Sequence, residues 1–413
     1  MLDDSPYGMP VRRRGSGNVL THTLMAVLGA ALAAGLLLAF YSPGGSGAAL
    51  PGGDAVPAPA ASVPPVTSSE QGIVTKVKPG LVVINTALQY DSEAAAGTGM
   101  VINADGLILT NNHVIEDSTK ITATVASTGK TYPATVVGYD QTGDVALLQL
   151  QHASGLTTVP IGTSSSVKAG QVVVALGNAE GQGSISATAG QVTALNQTIS
   201  ASDEGGSTSS ETLHGMIQTN ADIVPGDSGG PLASSAGVIG IDTAGNDAND
   251  QQEAAGFAIP INTALSVARQ IAGGHASSTI TIGYPPFIGI FIGSGSSSNP
   301  QTQAQQQEQQ NGGSGSTPGC HTSNADLTVP STIAPVSSGT LIDGTICGSP
   351  AASAGLTGGA VITAVNGQAV GSPNDLAGIL TRFHPGEVIS VSWVSPSGQR
   401  TTSNLHLTAG PPQ

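Results

Sequence analysis

Between Gly72 and about Ala272 the chain runs as short stretches in which apolar and polar residues alternate, broken by Gly, Asn and Asp turns. GLVVINTAL, GTGMVINADGLILTNNHVI, KITATVAS, YPATVVGYD, VALLQL, QVVVALGN, SISATAGQVTAL, HGMIQTN, GVIGIDTAG and GFAIPI are such stretches. Many short β-branched runs, recurring roughly every 8–15 residues, predict a mainly β fold, a sandwich or barrel. One helix is predicted at Asn262–Ala272, with Asn262 as N-cap and Gly273 as its stop. Farther on, to about Leu407, strand patterns mix with one helical pattern at Asn374–Phe383.

The N-terminal pattern is different. Arg12, Arg13 and Arg14 precede an uncharged run from Leu24 to Tyr41. As a helix it would span about 27 Å, close to the hydrocarbon thickness of a bilayer. The run therefore predicts a transmembrane helix at 24–41, with the basic segment 1–23 in the cytoplasm and everything later outside. A cleaved signal peptide is the competing reading, and small residues at Ser46–Ala49 would suit its processing. Both readings export the rest of the chain. Residues 42–71 are rich in Gly, Pro, Ala and Ser and cannot bury enough apolar surface to offset their ordering entropy, which predicts a flexible linker. A second low-complexity stretch, Ser and Gln rich, predicts a disordered insert at 294–318. These boundaries divide the chain into a β domain at 72–274 and a smaller module at 283–409. Its 413 residues leave room for both.

Charge narrows the function. The chain carries 11 Lys and Arg against 26 Asp and Glu, a formal net charge of −15, which excludes a nucleic-acid binder that works by neutralising phosphates. Its two cysteines, Cys320 and Cys347, offer no thiolate metal site, and in an exported chain they predict a disulfide. The eight histidines are too scattered for zinc, and there is no Gly-Lys-Ser/Thr phosphate loop, so no metal and no cofactor is expected.

Three elements carry chemistry. Leu109-Thr-Asn-Asn-His113 follows a strand pattern, Gly143-Asp144 opens the apolar strand VALLQL, and Pro225-Gly-Asp-Ser-Gly-Gly-Pro-Leu232 is a glycine-rich turn around a serine. A serine hydroxyl needs a base to remove its proton as it attacks a carbonyl, and imidazole supplies one. A carboxylate on the far ring nitrogen fixes the tautomer and stabilises the imidazolium. Glycines beside Ser228 let backbone N–H groups of Gly226 and Ser228, with Asp227 between them, converge as an oxyanion hole. His113, Asp144 and Ser228 are thus the expected base, orienting acid and nucleophile. Asp140 is the rival for the acid; Asp144 is preferred because it directly precedes an apolar strand.

With these elements in order, the chain resembles the HtrA (DegP-like) serine proteases. Ile217-Gln-Thr-Asn-Ala, Gly237-Val-Ile-Gly-Ile and Gly256-Phe-Ala-Ile-Pro add to the likeness. The resemblance implies a trypsin-like, chymotrypsin-type double β-barrel that cleaves misfolded or unfolded polypeptides in the cell envelope, assembled as trimers. It also implies that the second module is a PDZ domain that binds C-terminal peptides through the carboxylate loop Phe287-Ile288-Gly289-Ile290. Exposed backbone N–H groups in such a loop capture a peptide carboxylate while a strand edge pairs with its backbone. The Ser/Gln-rich insert and the cysteine pair depart from the PDZ pattern.

Two acids depart from the protease pattern. Asp227 stands where the family usually has Asn. Asp222, six residues before Ser228, has the spacing of an acidic floor in a trypsin specificity pocket, and a buried carboxylate there would favour Lys or Arg before the cut. Residues 71–274 hold 6 basic and 17 acidic residues, so most of the acidity belongs to the catalytic domain. Seven of those acids fall in Asp203–Glu211 and Asp242–Glu253, loops that border the cleft in relatives, which predicts a negative rim. A reading of a different class is a protease-dead holdase or PDZ adaptor on the same scaffold, which would have no need of all three triad residues.

Overall fold

The computed structural model describes residues 67–88, 93–202, 210–243, 255–293, 297–311, 319–323 and 327–412. The apolar run 24–41 and nearly all of the linker lie outside them. Among the described residues no helix is long and apolar enough to cross a membrane.

Helix α1 (Ser68–Val77) opens the fold. The Thr67 N–H donates to Glu70 Oε2 at 2.6 Å, and Ile73, Val74 and Val77 form its buried stripe. The linker expected to run to residue 71 therefore stops earlier, because Ser68–Gln71 supply the first turn that carries this stripe into the core.

Six strands follow: β1 (Leu81–Leu88), β2 (Glu93–Asn103), β3 (Leu107–Thr110), β4 (Lys120–Val125), β5 (Thr131–Asp140) and β6 (Val145–Leu150). They pair in the order β5-β4-β1-β2-β3-β6, and β5 also pairs with β6, which closes the sheet on itself. Val82, Ile84, Val101, Ile108, Ile121 and Leu148 fill this first barrel. A second barrel is closed by β7 (Val172–Gly177), β8 (Ser186–Ser202), β9 (Ser210–Thr219), β10 (Pro231–Ser234), β11 (Gly237–Thr243) and β12 (Gly256–Pro260). Closing a sheet on itself pairs strand edges that would otherwise stay open.

Helix α2 (Ile261–Ala272) buries Ile261, Ala264, Val267, Ala268 and Ile271 at i, i+3, i+4 spacing. Its N-cap is Pro260, not Asn262 as the sequence suggests. Asn262 lies inside the first turn, where its Oδ1 accepts the Ser164 N–H. The catalytic-domain boundary also moves, since β13 (Ile280–Ile282) still pairs with β5 of the first barrel.

The second module begins with β14 (Pro286–Phe287) and β15 (Ile290–Phe291), which flank Ile288 and Gly289 of the expected carboxylate loop. The insert then departs from expectation: residues 300–311 form helix α3 (Pro300–Asn311) instead of a disordered segment. Composition hid the reason. Gln303 is buried and satisfied on both ends of its amide, donating to Ser297 O and Gly339 O at 2.8 Å and accepting Leu341 N–H at 2.9 Å. Ala304 packs with Val329, Ala334, Leu341, Val361 and Val394. Gln307 Nε2 donates to Asp343 Oδ2, a carboxyl that burial pushes up to about 6. Glutamine serves here as a buried polar side chain with partners.

Beyond it come β16 (Cys320–His321), β17 (Thr340–Leu341), β18 (Gly344–Ile346), the one-turn helix α4 (Pro350–Ser353), β19 (Val361–Val365) and β20 (Gln368–Ala369). Helix α5 (Pro373–Leu380), β21 (Val388–Val394), β22 (Arg400–His406) and β23 (Thr408–Ala409) complete the module. Helix α5 is capped by Ser372, whose side chain accepts the Asp375 N–H. The strands form the sets β15-β18-β16, β17-β19-β21-β22 and β14-β23. Cys320 and Cys347 are joined in a disulfide, as expected, which closes a loop 27 residues apart in sequence across the end of the β16–β18 pair.

Candidate active site

The two barrels meet at three segments. Strand β3 delivers the first: Thr110 Oγ1 donates to Thr98 O at 2.7 Å, and Asn111 Nδ2 donates to Asp144 O at 2.8 Å, so the backbone leading into His113 is fixed from within. The turn into β6 delivers the second. Asp144 sits at φ +50°, a left-handed conformation that Asp tolerates better than most residues, and its side chain is 1% exposed. Its Oδ1 accepts the His113 backbone N–H at 3.1 Å, and both carboxylate oxygens lie 3.0 Å from His113 Nδ1. An ionised carboxylate only accepts, so Nδ1 carries the proton and Nε2 presents its lone pair. The rival Asp140 does not compete: its Oδ1 accepts Gly143 N–H at 3.2 Å and shapes the turn.

The third segment is the loop before β10. Thr98, on β2 of the first barrel, clamps it: Thr98 N–H donates to Ser228 O at 2.9 Å and Thr98 Oγ1 to Gly226 O at 2.8 Å. The same hydroxyl accepts Asn178 N–H at 2.8 Å. Gly226 has φ +93°, and a Cβ there would stand 2.2 Å from Asn178 O, so only glycine fits. Asp227, Gly229 and Gly230 donate their N–H groups to Val224 O, Asp242 O and Asp227 O. Ser228 is 5% exposed.

Sequence reasoning did not single out Thr98, Asn111 or Asn178, which hold the loops through backbone bonds. It also missed the burial of Asp242. That acid was counted toward a negative rim; it is wholly buried at the end of β11, and most other rim acids lie outside the described residues. Asp222 departs from expectation too: it is exposed, because its neighbours Ala221 and Ile223 turn inward, Ile223 against Gly256. No buried carboxylate stands there to select a basic side chain.

Beneath the nucleophile loop lie two buried acids instead. Asp227 Oδ1 lacks a hydrogen-bond partner among the described residues, and the Asp242 carboxyl has only the backbone N–H of Leu176 acting on it, too weakly placed to satisfy its oxygens. Burial first, and Asp222 in addition, raises Asp227 to about 6, although the Val224 N–H on its carboxylate opposes this. Asp242 is raised well above the usual carboxylate range by burial and by Asp227. Both native values exceed the unfolded ones, so the native state binds more protons and stability falls as pH rises from about 4 through 6 and beyond. The unfolding midpoint should therefore be lower at about pH 8 than at about pH 5. That difference should shrink in Asp227→Asn/Asp242→Asn; an unchanged difference would count against the assignment.

In the second module the segment Phe287–Ile290, the expected carboxylate loop, is held from behind. Gly289 O accepts from Ile346 N–H and Ser349 Oγ, both at 3.0 Å, and Ile288 O accepts Ala351 N–H at 2.8 Å. Gly289 takes φ +74° against Ser349.

Comparison with known proteins follows the same division. The family model "Trypsin-like peptidase domain" matches residues 97–241, which include His113, Asp144 and Ser228. A PDZ domain model matches residues 346–393. "Serine protease PepD" of Mycobacterium tuberculosis is 32% identical over 356 residues, 82% of this chain and 66% of the relative. "Periplasmic pH-dependent serine endoprotease DegQ" of Escherichia coli is 40% identical over 177 residues, 42% of this chain and 37% of the relative. The chain thus spans just under two thirds of the first relative's length and about a third of the second's. A solved structure, "HtrA-type protease AlgW with tripeptide", is 26% identical, covering 83% of this chain and 98% of that one with a TM-score of 0.43.

Proposed function

We propose that this chain, which is similar to HtrA-type serine proteases in its trypsin-like peptidase and PDZ regions, is an endopeptidase that cleaves unfolded or misfolded polypeptides outside the cytoplasmic membrane. The observation that carries this reading is the His113–Asp144 contact beside a nucleophile loop that Thr98 clamps at Gly226 and Ser228. Ser228 Oγ attacks the scissile carbonyl as His113 Nε2 takes its proton, and Asp144 stabilises the imidazolium. Negative charge on the carbonyl oxygen falls to the N–H groups of Gly226 and Ser228. His113 then protonates the leaving amine, and water repeats the sequence on the acyl-enzyme.

Anchoring by Leu24–Tyr41, capture of C-terminal peptides at Phe287–Ile290 and assembly as trimers belong to the same proposal. Support for the location is the basic-then-apolar N-terminus and the relative whose name is periplasmic. The test is a fluorophosphonate probe on the full chain, with cleavage of unfolded casein measured alongside. Expected are a covalent adduct mapping to Ser228 and casein fragments. No adduct and no cleavage, with or without a C-terminal peptide, would leave the holdase or adaptor reading.

A further inference from the structure

An open cavity of about 730 Å³ adjoins the nucleophile loop, and no part of the triad lines it. Its walls come from both barrels: Asn85, Thr86, Ala95 and Ala96 from the β1–β2 pair, and Val224–Gly226 with Gly181 from the second barrel. Glu180 is the only ionisable side chain among the lining residues.

The position of this cavity relative to the reacting bond can be read from its neighbours. Ala95 and Ala96 run directly into Gly97, and a Cβ on Gly97 would touch both Val114, next to His113, and Ser228 O. The cavity therefore lies on the His113 side of Ser228, where the leaving amine collects its proton. Ala221 and Ile223, packed in the second-barrel core, do not line it. Residues that follow the scissile bond are the part of a substrate that would occupy it.

Glu180 is placed there by the backbone. It adopts φ +56°, its N–H donates to Pro225 O at 2.7 Å, and Gln182 Nε2 donates to its Oε2 at 3.2 Å. The turn is thus tied to the residue before Gly226. The rest of the lining is small, apolar or neutral, so no fixed cation competes for the carboxylate.

We propose that Glu180 is a specificity residue for the leaving side of the substrate, favouring Lys or Arg within the first two residues after the cut. The inference rests on the endopeptidase reading above. Glu180 is exposed, so the preference is modest, about two- to fivefold in kcat/KM, as an exposed ion pair supports.

The experiment uses fluorogenic peptides identical up to the scissile bond, with Lys, Gln or Glu at the first or second position beyond it, cut by the full chain. Expected is the order Lys above Gln above Glu, with the spread narrowing as salt rises. Glu180→Gln should bring the Lys-to-Glu ratio toward one, and Glu180→Lys should invert it. A wild-type ratio near one, or a ratio unmoved by both variants, overturns the inference while casein cleavage leaves the endopeptidase reading standing. Loss of all cleavage in the wild-type chain removes both.

Discussion

Ser228→Ala is expected to slow cleavage of unfolded casein by about 10⁴-fold or more while the unfolding curve hardly moves. The two effects separate because the loop does not depend on the hydroxyl for its shape. Thr98 holds it through Ser228 O and Gly226 O, and Gly229 and Gly230 are fixed to Asp242 by backbone bonds. Alanine keeps every one of these. What it removes is the atom that forms the acyl-enzyme, so turnover falls to what binding and the oxyanion donors supply alone. Because nucleophile and base act as one unit, His113→Ala added to Ser228→Ala should cost almost nothing further. Casein cleavage by Ser228→Ala within tenfold of wild type would remove Ser228 from the mechanism.

Legibility in the sequence followed the physics of each feature. The β-rich character of residues 72–274 could be read because its strands alternate apolar and polar residues over runs bounded by Gly, Asn and Asp, a period that belongs to the strand itself, whereas their closure into two barrels came only with the family resemblance. The pairing of His113 with Asp144 could be read because each sits in a short segment whose neighbours serve the same chemistry. The clamp by Thr98 could not. It lies 128 residues from Gly226, and nothing in GTGMVIN distinguishes a threonine that bonds across two barrels from one that faces water.

Helix α3 was illegible for a different reason. Composition reports the mean polarity of a segment, whereas burial depends on where individual amides find partners. Gln303 and Gln307 face the interior four residues apart, with Ala304 beside Gln303, and their partners are Ser297, Gly339, Leu341 and Asp343, remote in sequence from the helix except for Ser297. Charge counting failed in the same way at Asp242, an acid assigned to a rim that lies under the nucleophile loop. There burial raises both carboxyls above their ordinary range, as it does for acids taken out of water without a cation beside them.

Asp144→Asn should cost nearly as much as losing the nucleophile, about 10⁴-fold in kcat, although it changes the side chain least. Asparagine occupies the left-handed region as readily as aspartate, so φ +50° is no obstacle and the turn into β6 should survive. The difference lies in which atom faces the ring. Oδ1 must stay where it is to accept the His113 backbone N–H at 3.1 Å, which puts the new amide nitrogen in the place of Oδ2, 3.0 Å from Nδ1. An NH₂ group there donates and opposes a proton on Nδ1, so the tautomer with the proton on Nε2 is favoured even with Oδ1 also 3.0 Å from Nδ1. A base already protonated on the face toward Ser228 cannot take the serine proton. Two measurements check this together: kcat on a peptide substrate, and the ¹⁵N shifts of the His113 ring, which should exchange their protonated and unprotonated positions. Asp140→Asn is the control, since that acid bonds only the turn at Gly143 and should leave the ring tautomer as it was. An Asp144→Asn rate within tenfold of wild type, or an unchanged tautomer, would mean that the carboxylate does not set the state of the base.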